Sequence, residues 1–511
     1  MLVKVYSGAV NGIEATTITI EVNILAGAKF IIVGLPDNAV KESQQRVDSA
    51  LRVVGSRIPG KRIIINMAPA DVKKEGSSYD LPLALGILAA NEQLAPEGWD
   101  KCVILGELSL DGSLVPVKGV LPIAIHARGE GFTRMLLPAG NANEAAVVEG
   151  LEVHGFSHLG EVIDYLRAPA SHAPCRFEPS REMPEETAMY DFKDVKGQEN
   201  VKRALEVAAA GMHNIIMVGA PGSGKTMLAR RLPGILPPMT REESLETTKI
   251  HSVAGKLPRD GSLITARPFR APHHTISGIA LIGGGVFPRP GEISLATNGV
   301  LFLDELTEYQ RAVLEVMRQP LEDRKITISR ARHSVDYPAN FMLVASMNPC
   351  PCGYYNHPTK ECSCTGTAIH RYMSKISGPL LDRIDIHLEV VPVELDKITG
   401  RQEAEPSRVI RERVMAARAI QTERFKDYPG IHCNAQMTPA LLKKFCPLDD
   451  RCLALLKMAM QKFGLSARAY DRIIKLSRTI ADLAASPAIT PQHIAEAIQY
   501  RSLDRENWGA R

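Results

Sequence analysis

No apolar run in this 511-residue sequence approaches the roughly 20 residues that a membrane span needs. The opening MLVKVYSGAVNG lacks the continuous apolar centre of a secretory signal. A dominant charge is also missing: 61 Lys and Arg stand against 57 Asp and Glu, for a formal net charge of +4. Nucleic-acid binding, if present, must therefore rest on local basic patches and not on a global field. There is no internal repeat and no low-complexity tract. The nine cysteines, four of them between 350 and 364, do not resemble the disulfide framework of a small secreted protein. These absences lead us to expect a cytoplasmic globular protein without a membrane partner. Its 45% hydrophobic and 23% charged composition is ordinary, and its length suits about two to four domains.

Against that plain background, residues 214–226 read NIIMVGAPGSGKT. A short apolar run leads into Gly219-Ala220-Pro221-Gly222-Ser223-Gly224-Lys225-Thr226, and a helical pattern follows. Glycines let the backbone curl so that several N–H groups point at one phosphate. Lys225 can reach the β- and γ-phosphates, and Thr226 can offer its hydroxyl to Mg²⁺. The pattern predicts nucleoside triphosphate binding, with a structural turn as the bland alternative.

A Pro-, Ser- and charge-rich stretch begins at 167 (RAPASHAPCRFEPSREMPEET) and reads as a linker, placed at 167–190. Before it, residues 1–166 alternate strand-like and helical runs, as a mixed α/β domain does. After it, 191–392 is expected to form a second α/β domain and 393–511 a helical lid.

Residues 299–306, GVLFLDEL, form an apolar strand ending in two carboxylates. Strand tips in a parallel sheet open onto the ligand crevice. Asp304 is placed to hold Mg²⁺ and Glu305 to polarise the attacking water, unless the pair simply caps a helix. A further strand, NFMLVASMN, ends at Asn348. That amide can face the γ-phosphate or the water, or can serve only as a turn before Pro349.

GAPGSGKT, then LFLDE, then a strand ending in Asn, then GPLLDRIDIHLEV resembles AAA+ ATPases of the magnesium-chelatase-like ComM/YifB branch. The resemblance implies Lys225 and Thr226 in Walker A, Asp304 and Glu305 in Walker B, and Asn348 as sensor 1. It makes Arg383 the arginine finger and Arg468 sensor 2, with Arg472 in reserve, and places Gln198 near the adenine. A finger acts on a neighbour's nucleotide, so a ring, most often a hexamer, is implied. A salt bridge from Arg383 to Asp382 or Asp385 is the alternative.

Between the two nucleotide motifs lies RPFRAPHHTISGIALIGGGVFPRPGEISL, too rich in Gly and Pro for one helix. Similar insertions in this branch face the ring's pore, where Arg267, Arg270, His273 and His274 could meet phosphates. The two histidines could instead suggest a metal, but with no further ligand in register a loop contact or structural role is the better reading. In EDRKITISRARHSVDYP, Ile326 and Ile328 alternate as in a β-hairpin, with Lys325, Arg330, Arg332 and His333 at or near its tip. Copies around a pore would suit a phosphate backbone, and a solvated basic hairpin is the alternative.

Cys350-Pro-Cys352 and Cys362-Ser-Cys364 offer paired thiolates for a structural Zn²⁺, or four reduced thiols without metal. The segments KKEGSSYDLPLALGI and ILGELSLDGSLVPVKGVLPIAIHAR resemble the proteolytic domain of Lon. Ser78 matches the nucleophile, but Leu121, Pro122 and Ile123 occupy the lysine region and Lys118 falls too early. A serine without its base is a poor nucleophile, so a non-catalytic Lon-like domain is expected.

The resemblance implies an ATP- and Mg²⁺-dependent motor on single-stranded or branched DNA, a helicase promoting branch migration in natural transformation or related recombination. Recombination proteins would be its associates. A magnesium-chelatase motor subunit, an ATP-dependent protease and an ATPase remodelling a protein partner are the competing classes.

Overall fold

A computed structural model describes residues 2–178, 190–258, 261, 263–285, 288–330, 333–393, 404–501 and 503. The chain is an α/β protein that divides into two compact units. One comprises Met1–Arg181 with Arg241–Ile264, and the other Glu182–Thr240 with Thr265–Arg511.

The first unit is built on a mixed sheet of β1 (Leu2–Asn11), β2 (Glu14–Leu25), β3 (Phe30–Val33), β4 (Arg62–Ala68), β5 (Cys102–Ile104), β8 (Arg134–Pro138) and β9 (Glu152–Phe156). A small ribbon, β6 (Glu107–Leu108) with β7 (Leu114–Val115), interrupts that sequence. The sheet order is β3-β4-β2-β1-β5-β8-β9. Its β1–β2 and β2–β4 pairs are antiparallel and the remaining pairs parallel. Alternation on β2 sends Ile18, Ile20 and Val22 inward, each fully buried. Helix Asp80–Ala90 is buried along its whole length, as its run of Leu, Ile and Ala requires.

Helix Arg241–Ala254 falls inside the span expected for the ATPase domain, yet it packs in the first unit against helix Val120–Gly129. Its buried residues include Ser244, Thr247, Thr248 and Ser252, which need polar partners. Ser252 finds one in the buried Glu144 carboxylate, which also accepts the Leu121 amide at 2.8 Å. Thr248 Oγ1 accepts the Ile264 amide at 3.0 Å, and Ser244 donates to the Ile264 carbonyl at 2.6 Å.

The second unit holds a five-stranded sheet of β10 (Ile215–Gly219), β11 (Phe269–Arg270), β14 (Val300–Leu303), β17 (Met342–Met347) and β18 (Ile386–Val390). Its order is β11-β14-β17-β10-β18 and every pair is parallel. All residues of β10, β14 and β17 are buried, so the strands read as continuous apolar runs and not as alternation. The Gly- and Pro-rich insertion forms short pieces, including the ribbon β12 (Gly283–Gly284) with β13 (Arg289–Pro290).

Strands β15 (Lys325–Arg330) and β16 (His333–Pro338) make the expected hairpin, with Ile326, Ile328, Val335 and Tyr337 on its buried face. Beyond the sheet come helices Ser407–Phe425, Pro439–Phe445, Asp450–Phe463, Ala467–Leu483 and Pro491–Gln499. They share one apolar core with the sheet. No helix among the described residues is long and apolar enough to cross a membrane.

Candidate active site

Parallel strands bring their C-terminal ends to one edge, and the sequence-predicted residues gather there. Gly219 closes β10 because a Cβ at that position would meet the Val390 carbonyl of β18 at 2.3 Å. The loop then turns through Gly222 at φ +78° and Gly224 at φ +92°, values that favour glycine. Lys225 opens helix Lys225–Arg231 and folds its ammonium back onto the carbonyls of Gly219 (2.6 Å) and Ala220 (3.0 Å). Burial lowers its pKa, while the charges of Asp304 and Glu305 oppose that shift. The side chain also lies 3.5 Å from Asn348 Oδ1, just beyond β17.

Thr226 donates to Asp304 Oδ2 at 2.8 Å, so the hydroxyl and carboxylate meant for one cation already face each other. Ser346 donates to the other Asp304 oxygen. The sequence reading missed Ser346, although the signal was there: it shares strand parity with Asn348, and Ala345 pairs with Leu303 beside Asp304. Glu305 sits at φ +52°, which turns the strand tip sharply and leaves its side chain 58% exposed. Next to it stands His274, with Nδ1 3.7 Å from Glu305 Oε2. His273 lies against His274 with ring centroids 4.1 Å apart.

The glycine cradle, the buried ammonium and the Thr226–Asp304 pair fit a triphosphate with its Mg²⁺. Gln198, at φ +57°, donates to the carbonyls of Ser223 (2.9 Å) and Val391 (3.2 Å), alongside the cradle.

The arginines divide. Arg383 is buried and pairs neither with Asp382 nor with Asp385 but with Glu322 at 2.5 Å; it also donates to the Pro379 carbonyl. It lines a cavity of about 530 Å³ together with Glu315, Arg318 and Asp323. On helix Ala467–Leu483, Arg472 is committed to the buried Asp385 at 2.7 Å. Arg468, one turn earlier, is 58% exposed and only 3.7 Å from Asp382. That leaves Arg468 the freer of the two to meet a ligand.

Arg267 and Arg270, expected as phosphate contacts, are instead occupied within the chain. Arg267 donates to the carbonyls of Pro237 (2.6 Å), Asn298 (2.7 Å) and Pro238 (3.2 Å), and Arg270 grips Glu292 at 2.6 and 2.9 Å. Lys325 stands at the foot of the hairpin, not near its tip, because the ladder runs from Lys325 opposite Pro338 to Arg330 opposite His333. It pairs with Asp336 at 3.2 Å. Arg330 and His333 close the ladder, and Arg332 lies outside the described residues.

Cys350, Cys352, Cys362 and Cys364 converge, their sulfurs all within 4.8 Å of one another. Three of the separations are 3.3, 3.5 and 3.7 Å. A tetrahedral zinc with Zn–S near 2.3 Å requires about 3.8 Å between sulfurs, so the set fits that ion. Burial opposes ionisation of Cys352, but the Tyr354 amide and neighbouring groups outweigh it and lower its pKa to about 6. Burial and the adjacent sulfurs push Cys362 up to about 12. A bound cation would let all four ionise together.

In the first unit, Leu121 and Ile123, where a Lon-type lysine is expected, are both buried, Ile123 within an apolar cluster. Lys118 is exposed and lies along Gly255, and the Ser78 carbonyl accepts the Gly106 amide at 2.9 Å.

A five-stranded parallel sheet with a phosphate-binding loop, an Asp-Glu strand tip and a neighbouring Asn defines a magnesium-chelatase-type AAA ATPase. The family described as "Magnesium chelatase, subunit ChlI" matches residues 191–398, "Subunit ChlI of Mg-chelatase" matches 20–141, and "Magnesium chelatase, subunit ChlI C-terminal" matches 404–501. The chain is 43% identical over 514 residues to competence protein ComM of Haemophilus influenzae, covering 99% of this chain and 98% of that protein. It is 41% identical to the uncharacterised protein YifB of Escherichia coli, covering 98% and 97% of the two chains. A shorter match, 30% identical over 165 residues, is Lon protease 2 of Bacillus subtilis, covering 30% of this chain and 29% of that one. The chain belongs to the ComM/YifB family of magnesium-chelatase-like proteins, with a Lon-like ChlI N-terminal domain, an AAA domain and a C-terminal domain.

Proposed function

We propose that this chain assembles into a ring, a homohexamer, that hydrolyses ATP to move single-stranded or branched DNA, promoting branch migration during recombination of incoming strands. The convergence of Lys225, Thr226, Asp304, Glu305 and Asn348 at one sheet edge carries the reading. Lys225 exchanges its two loop carbonyls for β- and γ-phosphate oxygens. Thr226 and Asp304 would hold Mg²⁺, which would offset charge on those oxygens. Glu305 accepts the proton of the attacking water, and Asn348 orients that water. Arg468 meets the phosphate from the lid of the same subunit. Arg383 leaves Glu322 and reaches a neighbour's nucleotide, where a guanidinium can follow the moving charge bidentately.

DNA as the substrate is supported by the close relationship to a competence protein and by the basic hairpin that precedes β17. We keep Arg330 and Arg332 as its DNA contacts, with Lys325 bracing the foot, and leave Arg267 and Arg270 out. The apolar burial of Leu121 and Ile123 supports a Lon-like domain without peptidase activity. The four thiols serve as a structural zinc site.

The decisive experiment measures ATP hydrolysis with and without forked DNA, together with strand displacement. Stimulation and displacement that both vanish in Glu305→Gln support a DNA motor. Hydrolysis indifferent to DNA would favour an ATPase that remodels a protein partner.

A further inference from the structure

The four-thiol loop does more than close on itself. Gly353, between the two cysteine pairs, sits at φ +82° directly on the phosphate-binding loop: a Cβ there would meet Pro221 Cδ at 2.6 Å and Cγ at 2.9 Å. At its other end the loop is continuous with Asn348, whose Oδ1 lies 3.5 Å from the Lys225 ammonium. Cys350, two residues on, is fully buried and accepts the Tyr355 amide at 3.3 Å. One short segment thus touches the nucleotide cradle at two points, Pro221 and Lys225, and Cys350 and Cys352 fall between the two contacting residues, Asn348 and Gly353, along the chain.

We infer that the metal held by Cys350, Cys352, Cys362 and Cys364 fixes the shape of the triphosphate cradle, so that metal and nucleotide bind cooperatively. This rests on the zinc reading above and adds to it a positioning role for Gly353 and Pro221. Without the ion, the loop loses the cross-link that sets Gly353 against Pro221. With the ion, the loop has one conformation, and the cradle no longer has to be ordered by the nucleotide itself. Linkage makes the effect reciprocal: the factor by which metal tightens nucleotide binding is the factor by which nucleotide tightens metal.

The test uses the full-length chain and two binding readouts that do not depend on turnover. Zinc content is measured first by elemental analysis. The affinity for a fluorescent non-hydrolysable ATP analogue with Mg²⁺ is then compared between the zinc-loaded chain and Cys362→Ser/Cys364→Ser. Separately, the rate of zinc release to a zinc-selective chromophoric chelator is measured with and without that analogue. We expect the double variant to lose its zinc and bind the analogue about tenfold more weakly, and the analogue to slow zinc release by a similar factor, within the usual range of coupling between sites.

Pro221→Ala keeps all four thiols and removes the ring that rests on Gly353. It should retain zinc yet lose most of the slowing of release, which a merely structural zinc would not do. Zinc present, with equal analogue affinity in both chains and release indifferent to nucleotide, overturns the coupling and leaves the zinc site standing. A full-length chain without zinc removes both.

Discussion

Lys225 keeps its ammonium on two carbonyls of its own loop, out of water and with a depressed pKa. A phosphate oxygen is a stronger acceptor than either carbonyl, so nucleotide binding is an exchange of partners and not the capture of a solvated charge. Lys225→Ala should lose a charge-assisted contact of about 1.5–3 kcal/mol, roughly a ten- to hundredfold fall in affinity for the ATP analogue, read by fluorescence titration. Glu305→Gln should behave differently, holding the analogue normally while hydrolysis drops about 10²–10⁴-fold, the usual worth of a general base. His274 faces that same carboxylate. Neither its identity nor its spacing pointed there, because it follows β11, a two-residue edge strand beside β14 that is too short to be read from pattern.

Among the elements, helix Ala467–Leu483 of the C-terminal helical region and the end of the Leu-Leu-Asp-Arg-Ile-Asp segment are joined by Asp385. Its carboxylate accepts the Asn214 amide at 2.9 Å, meets Arg472 at 2.7 Å and lies 3.5 Å from His213 Nδ1. Burial alone would raise its pKa, but Arg472, His213 and Lys475 outweigh that and hold it well below the usual aspartate range. Because the folded-state value is depressed, the stabilisation is present above the unfolded-state pKa of about 3.9 and is lost only as the pH falls below it. Asp385→Asn at neutral pH should cost about 3–5 kcal/mol, since it leaves Arg472 and its neighbours uncompensated; denaturant unfolding followed by circular dichroism reads that loss. The hairpin makes its own prediction. Arg330→Ala/Arg332→Ala should reduce the ratio of DNA-stimulated to unstimulated hydrolysis severalfold, and an unchanged ratio removes the hairpin from the DNA path.

These two elements show what the sequence could and could not disclose. The hairpin was legible because Ile326 and Ile328 alternate, and the cradle because its glycines sit between an apolar strand and a helix. Arginine partners were not. Arg270 with Glu292, Arg383 with Glu322 and Arg267 with three carbonyls are choices made after folding, and residue type alone favours a phosphate equally. Helix Arg241–Ala254 was misleading for a related reason: a buried face says that a helix packs but not against which neighbour.

For the whole molecule, the proposed site is shared, with Lys225 in one subunit and Arg383 from the next. Two inactive chains should then complement each other. Mixed after dissociation, Lys225→Ala and Arg383→Ala subunits form some interfaces with a sound cradle on one side and a sound finger on the other. Hydrolysis in the mixture should exceed that of either variant alone, and no gain over the separate proteins would mean that each subunit completes its own site. The first unit contributes no peptide cleavage in this scheme, so casein incubated with the chain and ATP should remain intact.

Helix Arg241–Ala254 also bears on where this protein can be cut. The chain passes between its two units three times, near 181, 240 and 264, and not once through a single linker. An ATPase half begun at residue 191 would carry Ser252 without the Glu144 and Gly119 partners that the first unit supplies. The first unit ended at 166 would keep Glu144 without Ser252. Neither half is a natural module. A single cut engineered into the proposed 167–190 linker should yield two fragments that stay together on a sizing column, held by a helix that one fragment encodes and the other houses.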